Sequence, residues 1–365
     1  MALVDTKEYT HSMSHLYKLK ASGANSVTVI LRREPNRREQ EFRIQSYLKM
    51  AGTQGLKFKS IVLPEGETVD LMLRNYGADH LLNLINETEE DTIHTHRRSM
   101  LLQDIKENFD NAMGCPPNVS VGFPLNTFPR FSKDVDGIQS GIYYVSSNPF
   151  FLKTSLLSSM ALDLIETNSN IKLIYIALET PRRQIFDRMI AMLTGLSVLD
   201  VRKKNVNENV NAKILEATRT LMGYVRENRL EIWEDQPSFD NKELLATLKD
   251  EQREHPGLVV IIDGIDHFKV TDRPDLANIY ERRSSVMLDI YKSLDIPLFI
   301  GGELVDEDGT LSAPRAYLRD SDAIYWLESK DGELELTVNS KRLGNNNLYK
   351  GKLSINPQSN RISEA

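Results

Sequence analysis

Gly141-Ile-Tyr-Tyr-Val-Ser-Ser-Asn-Pro-Phe-Phe-Leu-Lys-Thr-Ser155 decides the reading of this chain. An apolar run, Ile142–Ser146, predicts a buried strand, and a helical pattern begins at 154. Between them stands a loop ending in Lys153-Thr154, the tail of the phosphate-loop pattern G-x-x-x-x-G-K-[ST]. Ser147 and Leu152 occupy the two glycine positions. Lys153 brings a point charge suited to β- and γ-phosphates, the Thr154 hydroxyl suits Mg²⁺, and a helix start offers free N–H groups. The cost falls on the loop backbone. A left-handed leucine at 152 costs ~1 kcal/mol or more, whereas a helical φ there costs nothing.

Outward from this segment the apolar runs repeat. Strands are expected at Ile171–Leu178, Leu230–Trp233, Leu258–Asp263, Pro297–Gly301, Ala323–Leu327, Leu334–Val338 and Gly351–Ile355. Helical patterns fill 154–168, 181–195, 209–228, 240–254 and 276–294. Buried strands alternating with helices predict an α/β fold with a doubly wound, mostly parallel sheet. Ligands in such sheets bind beyond the carboxyl ends of the strands. Two carboxylates fall there. Asp263 closes the run Val259-Val-Ile-Ile-Asp263 and suits the water shell of Mg²⁺, or else caps a turn. Glu179 follows Ile171–Leu178 and suits polarisation of an attacking water, or else a helix start. Lys341-Arg342-Leu-Gly344 ends another strand in a basic tip. Arg342 there reads either as a hairpin charge or as an arginine reaching a neighbour's phosphate.

The chain has 365 residues, 40% hydrophobic and 27% charged, with net charge −7. That excludes a globally basic nucleic-acid-coating protein. The single Cys115 excludes a disulfide framework and a cysteine zinc module. No apolar run approaches the ~20 residues of a membrane span, and the start lacks a secretory pattern. An intracellular protein without a membrane partner is expected, cytoplasmic or in another compartment that holds DNA. Three parts are expected: a small α/β domain at 1–85, a helical linker at 86–118 and a large domain at 119–365. The small domain reads as helix, strand (Ser26–Leu31), helix (39–50), strand (Lys57–Leu63), then two helices flanking Gly77-Ala-Asp79. Residues 1–60 hold 11 Lys+Arg against 5 Asp+Glu, either a solvated surface or a face for nucleic acid. A helix at Ser99–Met113 before Cys115-Pro-Pro serves as a spacer or as a tether to a neighbouring subunit.

Order and spacing together are recognisable. Residues 120–356 resemble the RecA-like motor domain of the hexameric replicative DNA helicases, the DnaB, Twinkle and phage primase-helicase group. The resemblance is carried by Val119-Ser-Val-Gly-Phe-Pro124, Ile138-Gln-Ser-Gly-Ile-Tyr143 and Pro149 in the loop. It continues in Ala177-Leu-Glu179 with Arg188-Met189, in Asp263, in Ile300-Gly-Gly-Glu-Leu304, in Ala316–Ile324 and in Arg342. It implies ATP and Mg²⁺ held by Ser147, Asn148, Pro149, Leu152, Lys153, Thr154, Ser155, Asp263 and Glu303, with Thr154 and Asp263 serving the metal. It further implies Glu179 as catalytic base and Arg342 as a finger from the next subunit of a ring. Single-stranded DNA is the implied partner, met weakly by Arg315 and Arg319, with other replication proteins beside it.

Ile61-Val-Leu-Pro-Glu-Gly-Glu-Thr-Val-Asp70 through Tyr76-Gly-Ala78 is similar to the second half of a primase Toprim domain. Arg32-Arg33-Glu34 replaces the expected Asp-x-Asp, so no priming activity is expected. The loop Val305–Ala313 carries Asp306, Glu307 and Asp308 where the family grips DNA, and these repel phosphate. Two functions therefore stand from the sequence. One is an ATP-driven DNA helicase. The other is a weakened relative acting as a replication accessory, scaffold or regulator. A recombinase-like reading fits less well, because a Toprim–motor pairing belongs to helicases.

Overall fold

The computed structural model describes residues 12–33, 37–64, 67–88, 122–147, 152–203, 207–234, 241–270, 278–302, 314–330, 333–340 and 345–365, with 101, 102, 105 and 276. Most of the expected 99–113 helix, Cys115, Asn148, Pro149, Glu303, residues 305–313 and Arg342 lie outside them. The chain forms two compact units, Met1–Pro117 and Asn118–Ala365.

The first unit runs α1 (Ser12–Ala21), β1 (Ser26–Leu31), α2 (Arg37–Thr53), β2 (Lys57–Val62) and α3 (Val69–Glu87). The two strands pair in parallel, from Ser26 opposite Lys57 to Leu31 opposite Val62. Their alternating side chains split the core. Val27, Val29, Leu31 and Phe58 pack with Leu16, Ile44 and Leu48, while Ile30 and Ile61 pack with Met72, Leu81 and Ile85. Thr68 caps α3 by accepting from the Leu71 N–H. The helix breaks at Gly77, whose φ of 81° is open to glycine at little steric cost. The two expected helices therefore meet at one residue.

The second unit runs α4 (Pro129–Asp134), β3 (Gly141–Ser147), α5 (Lys153–Thr167), β4 (Ile171–Ala177), α6 (Arg182–Thr194), α7 (Val198–Arg202) and α8 (Glu208–Arg226). It continues through β5 (Leu230–Glu234), α9 (Asn241–Glu254), β6 (Gly257–Asp263), α10 (Ile279–Leu294), β7 (Pro297–Gly302) and α11 (Arg315–Asp320). It closes with β8 (Ala323–Lys330), β9 (Glu333–Ser340), β10 (Asn345–Ile355) and β11 (Ile362–Glu364). The described strands form one nine-stranded sheet in the order β11-β10-β9-β8-β3-β7-β6-β4-β5. From β8 to β5 all pairings are parallel, and β9, β10 and β11 extend the β8 edge in antiparallel fashion. This is the doubly wound, mostly parallel arrangement expected from the apolar runs. Helices α4, α7 and α11 and strand β11 were not read from the sequence. At three to six residues each, they are too short to show a period.

Strand alternation sends side chains to two helical layers. Tyr143, Val145, Leu173, Tyr175, Ala177, Ile261 and Phe299 pack under α5, α6 and α8. Ile142, Tyr144, Ile174, Ile176, Val260, Ile262, Leu298 and Ile300 pack under α9, α10 and α11. Helix α5 is buried along nearly its whole length. Its Asp163 accepts N–H bonds from Asn126 and Thr127, at 3.0 and 2.8 Å, tying the chain ahead of β3 to the helix.

Candidate functional site

The carboxyl ends of β3, β7, β6 and β4 lie side by side and in register. Val145 pairs with Gly301, Gly301 with Asp263, and Asp263 with Ala177. Asp263 thus stands in the sheet between a glycine and an alanine, on the α5 side. The glycine is required because the row is crowded on that side. A Cβ on Gly301 would come within 2.8 Å of Leu157, 3.1 Å of Asp263 Oδ1 and 3.5 Å of the Lys153 side chain.

Helix α5 starts at Lys153 directly above this row. Leu152 ends the preceding loop with φ −44° and ψ 20°, and no side chain caps the helix. A negative φ is open to leucine, so no backbone strain attaches to the missing second glycine. The first N–H groups of the helix have no intrahelical acceptor and carry its positive end. Lys153 is buried. Its Nζ lies 3.9 Å from Glu179 Oε2, on a side chain that is 47% exposed. Glu179 follows β4 at the mouth of the site. Gly264, just after Asp263, has φ +100°, and its N–H donates to the Gly301 carbonyl at 3.2 Å. A Cβ there would press on Glu179 at 3.0 Å, so glycine serves both the turn and the approach of Glu179.

Asp263 is completely buried. Tyr175 Oη donates to its Oδ2 at 2.8 Å, while Oδ1 has no hydrogen-bond partner among the described residues. Burial raises the Asp263 carboxyl above its ordinary range. The Tyr175 hydroxyl, Lys153 and the Thr154 hydroxyl oppose that rise, and Glu179 adds to it. Burial, and then the charge of Asp263, likewise raise the Tyr175 hydroxyl, which stays a proton donor. A buried carboxylate oxygen without a donor is costly, and a cation offsets that cost. Oδ1, with the Thr154 hydroxyl beside this carboxylate, forms the hard-oxygen set that Mg²⁺ prefers. Among the described residues there is no cluster of three or more His, Cys, Asp or Glu that could hold a metal ion.

The structure therefore assembles Ser147, Leu152, Lys153, Thr154, Ser155, Glu179 and Asp263 around the carboxyl ends of the central strands. Ser147 ends β3, and Ser155 is buried in the first turn of α5. Arg315 and Arg319 are not part of this group. They lie on α11, in the layer on the opposite face of the sheet. Arg319 binds the adjacent Asp320 through two contacts of 2.8 Å, which hold that carboxyl below its ordinary range. Tyr175 was not singled out from the sequence. A tyrosine between Ile174 and Ile176 in a buried strand is the only local sign of its contact with Asp263.

Residues 125–308 match the DnaB-like helicase C terminal domain family. The chain belongs to that family. The match takes in Lys153, Thr154, Glu179, Asp263 and Glu303, and ends ahead of β8. Two solved structures share the fold of this DnaB-like chain. One is the ATPase domain of another protein, with TM-score 0.61, 15% identity and coverage of 73% of this chain and 98% of that one. The other is a DnaB-like replicative helicase, solved for its structure and its interactions with primase, with TM-score 0.59, 12% identity and coverage of 89% and 86%. No curated protein matches the DnaB-like chain. No described helix is long and apolar enough to cross a membrane.

Proposed function

We propose that the Asn118–Ala365 unit is an ATP-driven motor acting on single-stranded DNA during replication. The observation that carries this reading is the buried Asp263 carboxylate beside Lys153, with one oxygen left without a partner under a helix start. In this reading the α5 N–H groups and Lys153 bind the triphosphate. Thr154 and Asp263 hold Mg²⁺, which when bound neutralises charge on the phosphates. Glu179 stands at the open side of Lys153 and accepts a proton from the attacking water. Arg342 from a neighbouring copy completes the site in a ring, with Asn148, Pro149 and Glu303 lining it. Arg315 and Arg319 give a weak DNA contact, the latter dampened by Asp320. By analogy with the neighbouring replicative helicase, other replication proteins, a primase among them, are partners. The small domain is proposed as a degenerate half-Toprim (1–85) joined by a linker (86–118), in keeping with its parallel β1–β2 pair.

ATP turnover with and without single-stranded DNA tests this reading, alongside Lys153→Ala. DNA-stimulated turnover that the substitution abolishes supports the motor. A specific observation favours the second reading, a non-enzymatic replication accessory: Ser147 and Leu152 stand where the phosphate-loop pattern has its two glycines. Absence of nucleotide binding by the unmodified chain selects it.

A further inference from the structure

We infer that Tyr175 is a positioning residue of the nucleotide site: its hydroxyl, donating to Asp263 Oδ2 at 2.8 Å, holds that carboxylate so that Oδ1 is offered to the divalent cation. The inference rests on the reading of the site as one for Mg²⁺-nucleotide.

The sheet explains why a tyrosine can do this. Asp263 pairs across the sheet with Ala177, two residues beyond Tyr175 on β4, so all three side chains project toward α5. The methyl group of Ala177 leaves room above the tyrosine. The ring reaches diagonally from one strand to the next and brings its hydroxyl under the carboxylate. On the other side Gly301 removes any Cβ that would meet Oδ1. Asp263 is therefore gripped at one oxygen only. The ungripped oxygen lies on the Gly301 side, where the Lys153 chain also passes. A short carboxylate without such a grip can rotate between rotamers. In a fully buried site, one donor at Oδ2 and none at Oδ1 select a single orientation. Partners that orient metal ligands in this way are worth about 10–100-fold in metal affinity.

Tyr175→Phe in the full-length chain is the test, since it removes one oxygen and keeps the ring. A fluorescent ATP analogue is titrated with Mg²⁺ and again in EDTA. The variant is expected to bind about tenfold more weakly with Mg²⁺ and equally well in EDTA. Equal affinity with Mg²⁺, or equal weakening in both conditions, overturns the role while leaving the nucleotide site intact. Absence of any Mg²⁺-dependent binding by the unmodified chain overturns both. Asp263→Asn with and without Tyr175→Phe gives a second, independent readout through nucleotide affinity. With the charge gone, the tyrosine change is expected to alter affinity by less than about twofold. A tenfold drop in that background overturns the role.

Discussion

Lys153 Nζ lies 3.9 Å from Glu179 Oε2, with the lysine buried and the glutamate 47% exposed. The contact is long, and one partner is bathed in water, so it holds the lysine lightly. In the proposed motor, a triphosphate entering the site would offer Lys153 a stronger counter-charge and release Glu179 toward a water. Glu179→Gln is expected to keep nucleotide binding and to lower turnover by about 10²–10⁴-fold. Steady-state hydrolysis beside an equilibrium titration checks this. Unchanged turnover removes Glu179 as the base.

Burial of Asp263 carries a cost in stability. Its carboxyl is raised above the ordinary value of 3.8 in the folded chain. Between that value and the raised one, the folded state keeps a proton that the unfolded state gives up. Stability therefore falls as pH climbs through this window, and the penalty is complete above the folded-state value. Asp263→Asn removes the titration. It is expected to raise Tm at pH 7 by about 2–4 °C, for a gain of ~1 kcal/mol, while abolishing Mg²⁺-dependent nucleotide binding. The difference in Tm closes as the pH falls to about 4, where the unfolded carboxyl also takes up its proton. Thermal melts across the pH range decide it, and a gain that persists in acid contradicts the assignment.

Gly301→Ala is expected to damage the site from beneath. Its Cβ would meet Leu157 at 2.8 Å and Asp263 Oδ1 at 3.1 Å, in a strand buried on both faces. Overpacking of this kind costs about 1–3 kcal/mol. Chemical denaturation measures that loss, and the nucleotide titration is expected to show weakened Mg²⁺-dependent affinity as the carboxylate shifts.

Leu152→Gly is expected to bring no gain. At φ −44° the leucine already occupies its position without strain. A glycine there adds unfolded-state entropy and removes a half-buried side chain packed against the core, together a loss of about 1–3 kcal/mol, with nucleotide affinity not improved. Improved affinity in the same titration would show that the bound loop needs another backbone conformation.

Arg342→Ala tests completion of the site by a second copy. The variant is expected to bind nucleotide and self-associate as the unmodified chain does, and to lose turnover by about 10³-fold or more. Sedimentation and hydrolysis assays read the two properties separately.

Much of this molecule is local chemistry. The apolar runs of β3, β4, β6 and β7, the Lys153-Thr154 pair at a helix start and an aspartate closing an apolar strand are all properties of short segments. Burial on both faces of a parallel strand demands such runs, and a phosphate-binding helix start demands such a pair. Folding alone decided the rest. That β3 lies between β8 and β7 depends on pairings among distant segments. Tyr175 meets Asp263 across 88 residues of chain, and no spacing rule reports a contact of that separation. The φ of Leu152, which bears on the missing glycine, is set by how the loop joins α5. The pairing of Arg319 with Asp320 is a choice of rotamer made against α10, where Ser284 also binds the aspartate. Local patterns specify which elements form, whereas side-chain partners at the site arise from packing those elements together.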